Sequence, residues 1–502
     1  MTKKFYVTTA IDYVNAEPHI GHAYQKIIAD VLARWHKIKG EEVFFLTGTD
    51  EHGQKIAESA KKVTKTPKEF VNDISPKFQK SWDLLNIEYD KFIRTTDKDH
   101  KEKVKEFVKL MEKNGDIYKG KYCGLYCEGC EAYVTEKDLV NNRCPFHPNK
   151  ELKELKEEAY FFKLSKYEKK ILELYEKNKR YILPSFRRQE VINRVKEGLK
   201  DLNITRLKKN MSWGIDFPLD DKYVVYVWYE ALLNYITGIG WPDGKKFEKF
   251  WPADVQLLGI DNGWFHCVIW PAMLISNKIK PANTILINGF LTFNGEKISK
   301  SLGNVISPKY LVEKYGADSI RYYVCRNFVF GQDGDFSEKE LIARYNNELA
   351  NKFGNLVSRV SALIEKVGVE KTENKLLNNL NLKKIEKYMG NYEFDKALNE
   401  IFAFIDVCNE YIQEKKPWEI QAKREILYEL TAWDDKEDKK VLYELADSIK
   451  TISILLWPFI PQSSEKIAKN FRFDLLLENI QKPLKIENLK NFKKGEILFN
   501  KI

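Results

Sequence analysis

The feature that most restricts the fold is a change of hydrophobic period along the chain. From the N-terminus, β-type runs alternate with helical ones: Phe5-Tyr6-Val7-Thr8-Thr9, an amphipathic stretch from about His22 to Lys37, then Val43-Phe44-Phe45-Leu46-Thr47, ending in Gly48-Thr49-Asp50. Such alternation predicts a doubly wound α/β sheet of parallel strands, with ligands beyond the carboxyl ends of the strands. The pattern breaks between about residues 118 and 160, which are turn-rich and cysteine-bearing. It returns at Tyr223-Val224-Val225-Tyr226-Val227, Val255-Gln256-Leu257-Leu258 and Thr284-Ile285-Leu286-Ile287, read as the second half of the same sheet. After about residue 345, Leu349, Phe353, Leu356, Val360 and Leu363 recur at helical spacing, as do Leu398, Ile401, Ile405 and Ile412. A helical bundle is expected there. The division that results is 1–117 and 216–290 for the two sheet halves, 118–215 for an insertion, 291–345 for a connecting region and 346–502 for the bundle.

Charge narrows the partners only mildly. The chain carries 83 basic and 73 acidic side chains, a net +10, which permits a polyanionic partner without requiring one. No apolar run reaches membrane-spanning length; the stretch 452–460 is too short and carries Pro458. Seven cysteines in 502 residues are too sparse for a disulfide scaffold, and five Cys/His positions crowd between 123 and 147. That clustering reads as metal in a reducing compartment, so a cytoplasmic address is expected. Cys127-x2-Cys130, thirteen residues, then Cys144-x2-His147 is zinc spacing. A Cys₃His set closes the tetrahedron, leaving no open position for water, so the zinc is expected to be structural, stapling an insertion too small to hold its own core. Cys123 is a fifth candidate.

Two stretches carry the residues of phosphate chemistry. Pro18-His19-Ile20-Gly21-His22 lies between the first strand and the first helix. Gly21 lets a ligand approach the backbone, and the helix start presents unpaired N–H groups to an anion. Two histidines three apart can both reach phosphate oxygens from such a turn; alone, the same residues also read as a polar helix cap. Gly295-Glu296-Lys297-Ile298-Ser299-Lys300-Ser301, followed by Gly303, places lysines and hydroxyls in a glycine-flanked loop. That suits a leaving pyrophosphate, whose charge grows in the transition state, although a solvated basic turn is the plainer reading.

In this order, His-Ile-Gly-His and Lys-Ile-Ser-Lys-Ser resemble the class I aminoacyl-tRNA synthetase pattern. The stretches 13–24, Phe45 to Gly53, Phe92-Ile93-Arg94-Thr95-Thr96, Gly303-Asn304-Val305, Arg321-Tyr322-Tyr323 and Lys416-Pro417-Trp418 resemble methionyl-tRNA synthetases, and the match covers residues 4 to about 420. The resemblance implies a Rossmann-type catalytic sheet split by the zinc-bearing insertion, a stem-contact region with the lysine loop at 291–345, and an all-α anticodon-binding bundle. It implies activation of methionine with ATP to methionyl-adenylate and pyrophosphate, then transfer to the 3′-terminal adenosine of tRNA(Met). His19, Gly21, His22, Lys297, Ser299 and Lys300 would bind ATP, with His19, His22, Lys297 and Lys300 catalytic; Arg206 matches an arginine near the lysine loop. The methionine carboxylate is already a nucleophile, so catalysis would be positioning and electrostatic stabilisation, with Mg2+ bridging phosphate oxygens.

The same resemblance assigns the amino-acid pocket to Ile11, Tyr13, Trp228, Ala231, Tyr235, Asp261, Asn262, His266 and Trp270, with Asp50 for the ammonium. Taken singly, each aromatic reads as core. Three departures stand beside them: Asp12 in Ala10-Ile11-Asp12-Tyr13, where the family usually has tyrosine; Glu230 in Trp228-Tyr229-Glu230-Ala231, where it usually has aspartate; and Ile260 with Asn262 around Asp261, where a lysine and an apolar residue are usual. Ile260 and Asn262 motivate an alternative, a tRNA-binding paralogue with impaired or altered activation. In the bundle, Asn355 and Arg359 share a helical face, and Trp418 follows Lys415-Lys416-Pro417; by resemblance these are anticodon contacts. The chain ends soon after Phe499 without an appended RNA-binding or dimerising domain, and a monomer is expected.

Overall fold

The structure is a computed structural model that describes residues 3–130, 132–134, 139–293, 295–297, 306–419 and 436–502. Its centre is a seven-stranded parallel sheet. Across it run Asp12–Tyr13, Glu42–Asp50, Lys4–Thr9, Val255–Gly259, Ile285–Asn288 and Ile182–Leu183, with Lys91–Arg94 also paired to Glu42–Asp50. The strands read as continuous apolar runs because both faces are covered. Side chains alternate between two cores: Phe5, Val7 and Phe45 enter one with the helix Ile20–Ile38, while Tyr6, Phe44 and Leu46 enter the other with the helix Lys98–Lys113.

Strand order reverses between Lys4–Thr9 and Val255–Gly259. From the first the chain crosses to Glu42–Asp50 on one side; from the second it crosses to Ile285–Asn288 on the other. The crevice beyond the carboxyl ends of this central pair is where such sheets take ligands.

Two strands differ from expectation. Tyr223–Val225 is not part of the central sheet; it pairs antiparallel with Thr205–Leu207, and the chain turns into a helix at Val227. The run is buried by core packing on all sides, which gives it the apolar signature of a central strand without the pairing. Conversely, Ile182–Leu183, inside the stretch expected to be insertion, pairs with Ile285–Asn288 and extends the sheet. Two residues are too short to show any period.

The insertion is an antiparallel hairpin, Ile117–Cys127 against Leu152–Phe162, flanked by Ala132–Val134 and Leu202–Asn203. The C-terminal part is helical: Glu338–Arg344 continues through 345–367, followed by Phe394–Lys415, Lys436–Leu456 and Pro461–Phe471. Leu349, Phe353, Leu356, Val360, Leu398, Ile401, Ile405 and Ile412 are all buried, as their spacing requires. The bundle is fastened to the sheet by Arg321, which is fully buried. Its guanidinium donates to Asp30 on the first helix at 2.6 Å and to the carbonyls of Pro458 at 2.7 Å and Phe459 at 3.2 Å. Arg34 shares the same Asp30 carboxylate at 2.8 Å. A buried charge survives only when paired in this way. Among the described residues, no helix is long and apolar enough to cross a membrane.

Candidate active site

The histidine turn is built as a helix cap and opens on the crevice. His19, in extended backbone, caps Ile20–Ile38; its ring accepts from the Gly21 N–H at 3.1 Å, and its own N–H donates to His22 Nδ1 at 3.2 Å. The two rings lie 3.8 Å apart. A Cβ at Gly21 would stand 3.0 Å from two ring atoms of His19, so glycine is what allows the ring to fold over the helix start. The cap reading and the phosphate reading are compatible. Both rings are partly exposed, and the helix dipole points its positive end at the crevice.

The lysine turn grows from a small separate sheet. Leu291–Phe293 pairs antiparallel with Glu296–Lys297 and parallel with Gly334–Phe336. Asp335 holds its root, accepting from Thr292 Oγ1 at 2.7 Å and from the Gly295 N–H at 2.8 Å, with Gly295 at φ +78°. Lys297 lies in the Glu296–Lys297 strand; Ser299 and Lys300 lie outside the described residues. Where the chain resumes, the Ile306 carbonyl accepts the N–H of Ile20 at 3.0 Å. The far end of the lysine segment therefore lands on the first residue of the histidine-capped helix.

Beside them, the sequence-predicted pocket residues fall into two groups. Tyr13 pairs with Asp50 in the sheet, and Val14 N–H donates to the Asp50 carbonyl at 3.2 Å; Asp50 is 8% exposed. The second group is an aromatic wall. Tyr235 Oη lies 2.5 Å from His266 Nε2, His266 Nδ1 lies 3.0 Å from the Asn262 carbonyl, and Trp270 packs 5.9 Å from Tyr235. Burial depresses the His266 imidazole to about 4, against the raising effect of the Asn262 carbonyl, so the ring is neutral at neutral pH. Trp270 is anchored by donating to Gln256 Oε1 at 3.0 Å. Trp228 is partly exposed and stacks on Phe265 at 4.3 Å. Ile11 packs at the margin of this core, Ala231 is buried, and Asp261 is exposed. Sequence reading passed over Phe265; its place beside His266 was the available signal.

The departures at Asp12, Glu230 and Asn262 are accommodated, and Ile260 packs partly buried against the apolar core. Asp12 is buried but paired to Lys26 Nζ at 2.6 Å, which also donates to the Ala10 carbonyl at 3.0 Å. Burial raises the Asp12 carboxyl to about 6 and lowers the Lys26 ammonium, each against the pull of the other. Glu230 is wholly buried between His52 Nδ1 at 2.7 Å and His100 Nε2 at 3.0 Å. Burial alone would raise its pKa; the two imidazoles outweigh that and hold it below the usual carboxylate range. Asn262 is only partly buried. Arg206, on the Thr205–Leu207 strand, stacks on Tyr226 at 4.1 Å and donates to the Thr205 carbonyl at 2.7 Å.

At the hairpin tip, Cys127, Cys130, Cys144 and His147 converge, with all four ligand atoms within 4.8 Å of one another. Cys130 Sγ lies 3.3 Å from Cys144 Sγ and 3.3 Å from His147 Nδ1, and Cys127 and Cys144 each lie 3.9 Å from that nitrogen. Bonds of about 2.3 Å to a tetrahedral zinc require separations of this order. A Cβ at Gly129 would fall 2.2 Å from the His147 ring, so the knuckle closes only over a glycine. The Cys123 side chain lies outside the described residues. In the bundle, the Arg359 guanidinium sits 5.0 Å over the Trp418 ring, which is 38% exposed, and Asn355 donates to the Asn351 carbonyl at 3.0 Å.

Comparison with known proteins matches this architecture along its length. The family model for class I tRNA synthetases (M) matches residues 5–153 and 136–361, and that for the anticodon-binding domain of tRNA ligases matches 373–498. A methionine–tRNA ligase of Thermotoga maritima is 41% identical over 99% of this chain and 80% of its own length. One from Caldanaerobacter subterraneus is 43% identical over 100% of this chain and 79% of its own. A solved Mycobacterium tuberculosis methionyl-tRNA synthetase in complex with methionyl-adenylate superposes with a TM-score of 0.90 at 35% identity, covering 96% of this chain and 97% of that one. The chain belongs to the methionine–tRNA ligase family of class I aminoacyl-tRNA synthetases.

Proposed function

We propose that the chain joins methionine to ATP and then esterifies tRNA(Met). A methionine carboxylate oxygen attacks the α-phosphorus of ATP; the bond from that phosphorus to the bridging oxygen breaks, and pyrophosphate leaves with the electron pair. A hydroxyl of the 3′-terminal adenosine then attacks the carbonyl of the adenylate and AMP departs. The observation that carries this reading is the Ile20–Ile306 hydrogen bond of 3.0 Å, which joins the far end of the lysine segment to the histidine turn at the switch point of the sheet.

In this scheme His19 and His22 hold phosphate oxygens, with the Gly21 backbone admitting them closely. Lys297, Ser299 and Lys300 take up the charge that grows on the departing pyrophosphate. Magnesium bound with the nucleotide would supply further neutralisation of phosphate charge. Asp50 receives the ammonium and Asp261 lies at the rim. Ile11, Tyr13, Trp228, Ala231, Tyr235, Asn262, His266 and Trp270 enclose the thioether, a group that suits aromatic walls. Because His266 is neutral and already bonded on both nitrogens, it presents Tyr235 in a fixed orientation without adding charge to the pocket.

Zinc in the Cys127, Cys130, Cys144 and His147 set would hold the hairpin tip and leave no open coordination position. Asn355, Arg359 and Trp418 supply a stacking face and donors for anticodon bases. Knuckle cysteines that ligate metal and form no disulfide fit a reducing, cytoplasmic setting. The binding-only alternative, motivated by Ile260 and Asn262, is not favoured: Ile260 packs partly buried against the apolar core, Asn262 is only partly buried, and Asp12 and Glu230 each have partners. A pyrophosphate-exchange panel over all twenty amino acids tests the reading: methionine should dominate, and a flat panel would refute it.

A further inference from the structure

Glu230 joins the two groups of pocket residues, and it does so from behind. Its short helix, Val227–Ala231, carries Trp228 and Ala231, which the functional reading places at the substrate. Glu230 itself is buried to 0% exposure and divides its carboxylate between two elements. Oε1 takes His52, two residues beyond Asp50, at 2.7 Å; Oε2 takes His100, in the first turn of Lys98–Lys113, at 3.0 Å. The far side of His100 is tied to Thr237 Oγ1 at 2.8 Å. His52 also packs at a tilt, 5.4 Å from Trp213, whose indole N–H donates to the Glu51 carbonyl at 2.6 Å. One buried anion thus fixes the separation of the ammonium end of the pocket from its aromatic wall.

We propose that Glu230 is a positioning residue for amino-acid selection: its two-histidine clasp sets the distance between Asp50 and the Trp228–Ala231 wall. The proposal rests on the functional reading above. Each carboxylate oxygen serves a different ring, so shortening the side chain by one methylene breaks at least one contact. Removing its charge weakens both, because a charge-assisted bond in a buried site is roughly twice as strong as a neutral one. Neither change reaches the ATP side.

The test is methionine-dependent exchange kinetics on the full chain. In Glu230→Gln the methionine KM should rise about tenfold or more, with the ATP KM and kcat within about twofold of the parent. Glu230→Asp should restore part of the loss, as a charge effect requires. If Glu230→Gln does not fold, Thr237→Val, which spares both carboxylate contacts and releases only His100 Nδ1, should still raise the methionine KM about threefold. An unchanged methionine KM in a folded variant, or an equal loss in the ATP KM, overturns the clasp. A parent protein inactive with methionine overturns the functional reading itself, and this proposal with it.

Discussion

The histidine turn and the lysine turn are asked to hold one triphosphate, yet they are mounted in opposite ways. The histidine turn caps a 19-residue helix, most of which is buried, and that helix is locked to the C-terminal part by Arg321 on Asp30, a carboxylate it shares with Arg34 of the same helix. The lysine turn grows from strands of two and three residues whose root is held by Asp335. The difference teaches a division of labour. Groups that receive the bound nucleotide sit on the rigid core, where preorganisation costs nothing at the moment of reaction. Groups that meet charge only as it develops sit on a small sheet, joined back to the core by the Ile20–Ile306 bond.

The largest effect should come from the lysine side. Lys300→Ala is expected to slow adenylate formation by about 10²–10³-fold in single turnover while methionine binding by calorimetry stays near the parent value. An unchanged rate would remove this loop from the chemistry. The core side should instead reveal itself through stability. His266 is depressed to about 4 from an ordinary 6.5, so the folded state favours the neutral ring. Its contribution is present above pH 6.5 and is lost as pH falls toward 4, about 2 kcal/mol of it by pH 5. Urea unfolding at pH 7 and pH 5 should show that loss, and His266→Gln should flatten it; equal slopes would contradict the assigned burial.

Asp335→Ala should cost about tenfold in exchange kcat with no change in methionine KM, because it loosens only the root of the lysine turn. A matching fall in melting temperature would mean the small sheet is structural core after all. Gly21→Ala presses on the His19 ring and should raise the ATP KM about threefold with the fold intact. If it instead lowers kcat alone, the two turns do not divide the work as described.

The centre of the sheet was legible because its main strands are buried apolar runs between helical ones: Glu42–Asp50 and Ile285–Asn288 announce themselves. Tyr223–Val225 misled because burial and sheet membership leave the same apolar trace, and Ile182–Leu183 has no period to read. The zinc knuckle was legible because coordination geometry is local and dictates spacing. The Glu230 clasp was not. Residues 52, 100 and 230 are far apart in the chain, and a buried carboxylate leaves no local pattern until the fold brings its partners to it. Asp12 was read as an added charge beside the pocket; its neutralising partner, Lys26, lies two helical turns into Ile20–Ile38 and has no sequence signature of its own.

The most direct test of the shared grip is a double-mutant cycle on adenylate formation with His22→Asn and Lys297→Ala. Groups that touch one triphosphate in one transition state should couple by at least about 1 kcal/mol, so the double variant departs at least fivefold from the product of the single losses. Strict multiplicativity of the two losses would contradict a common ligand.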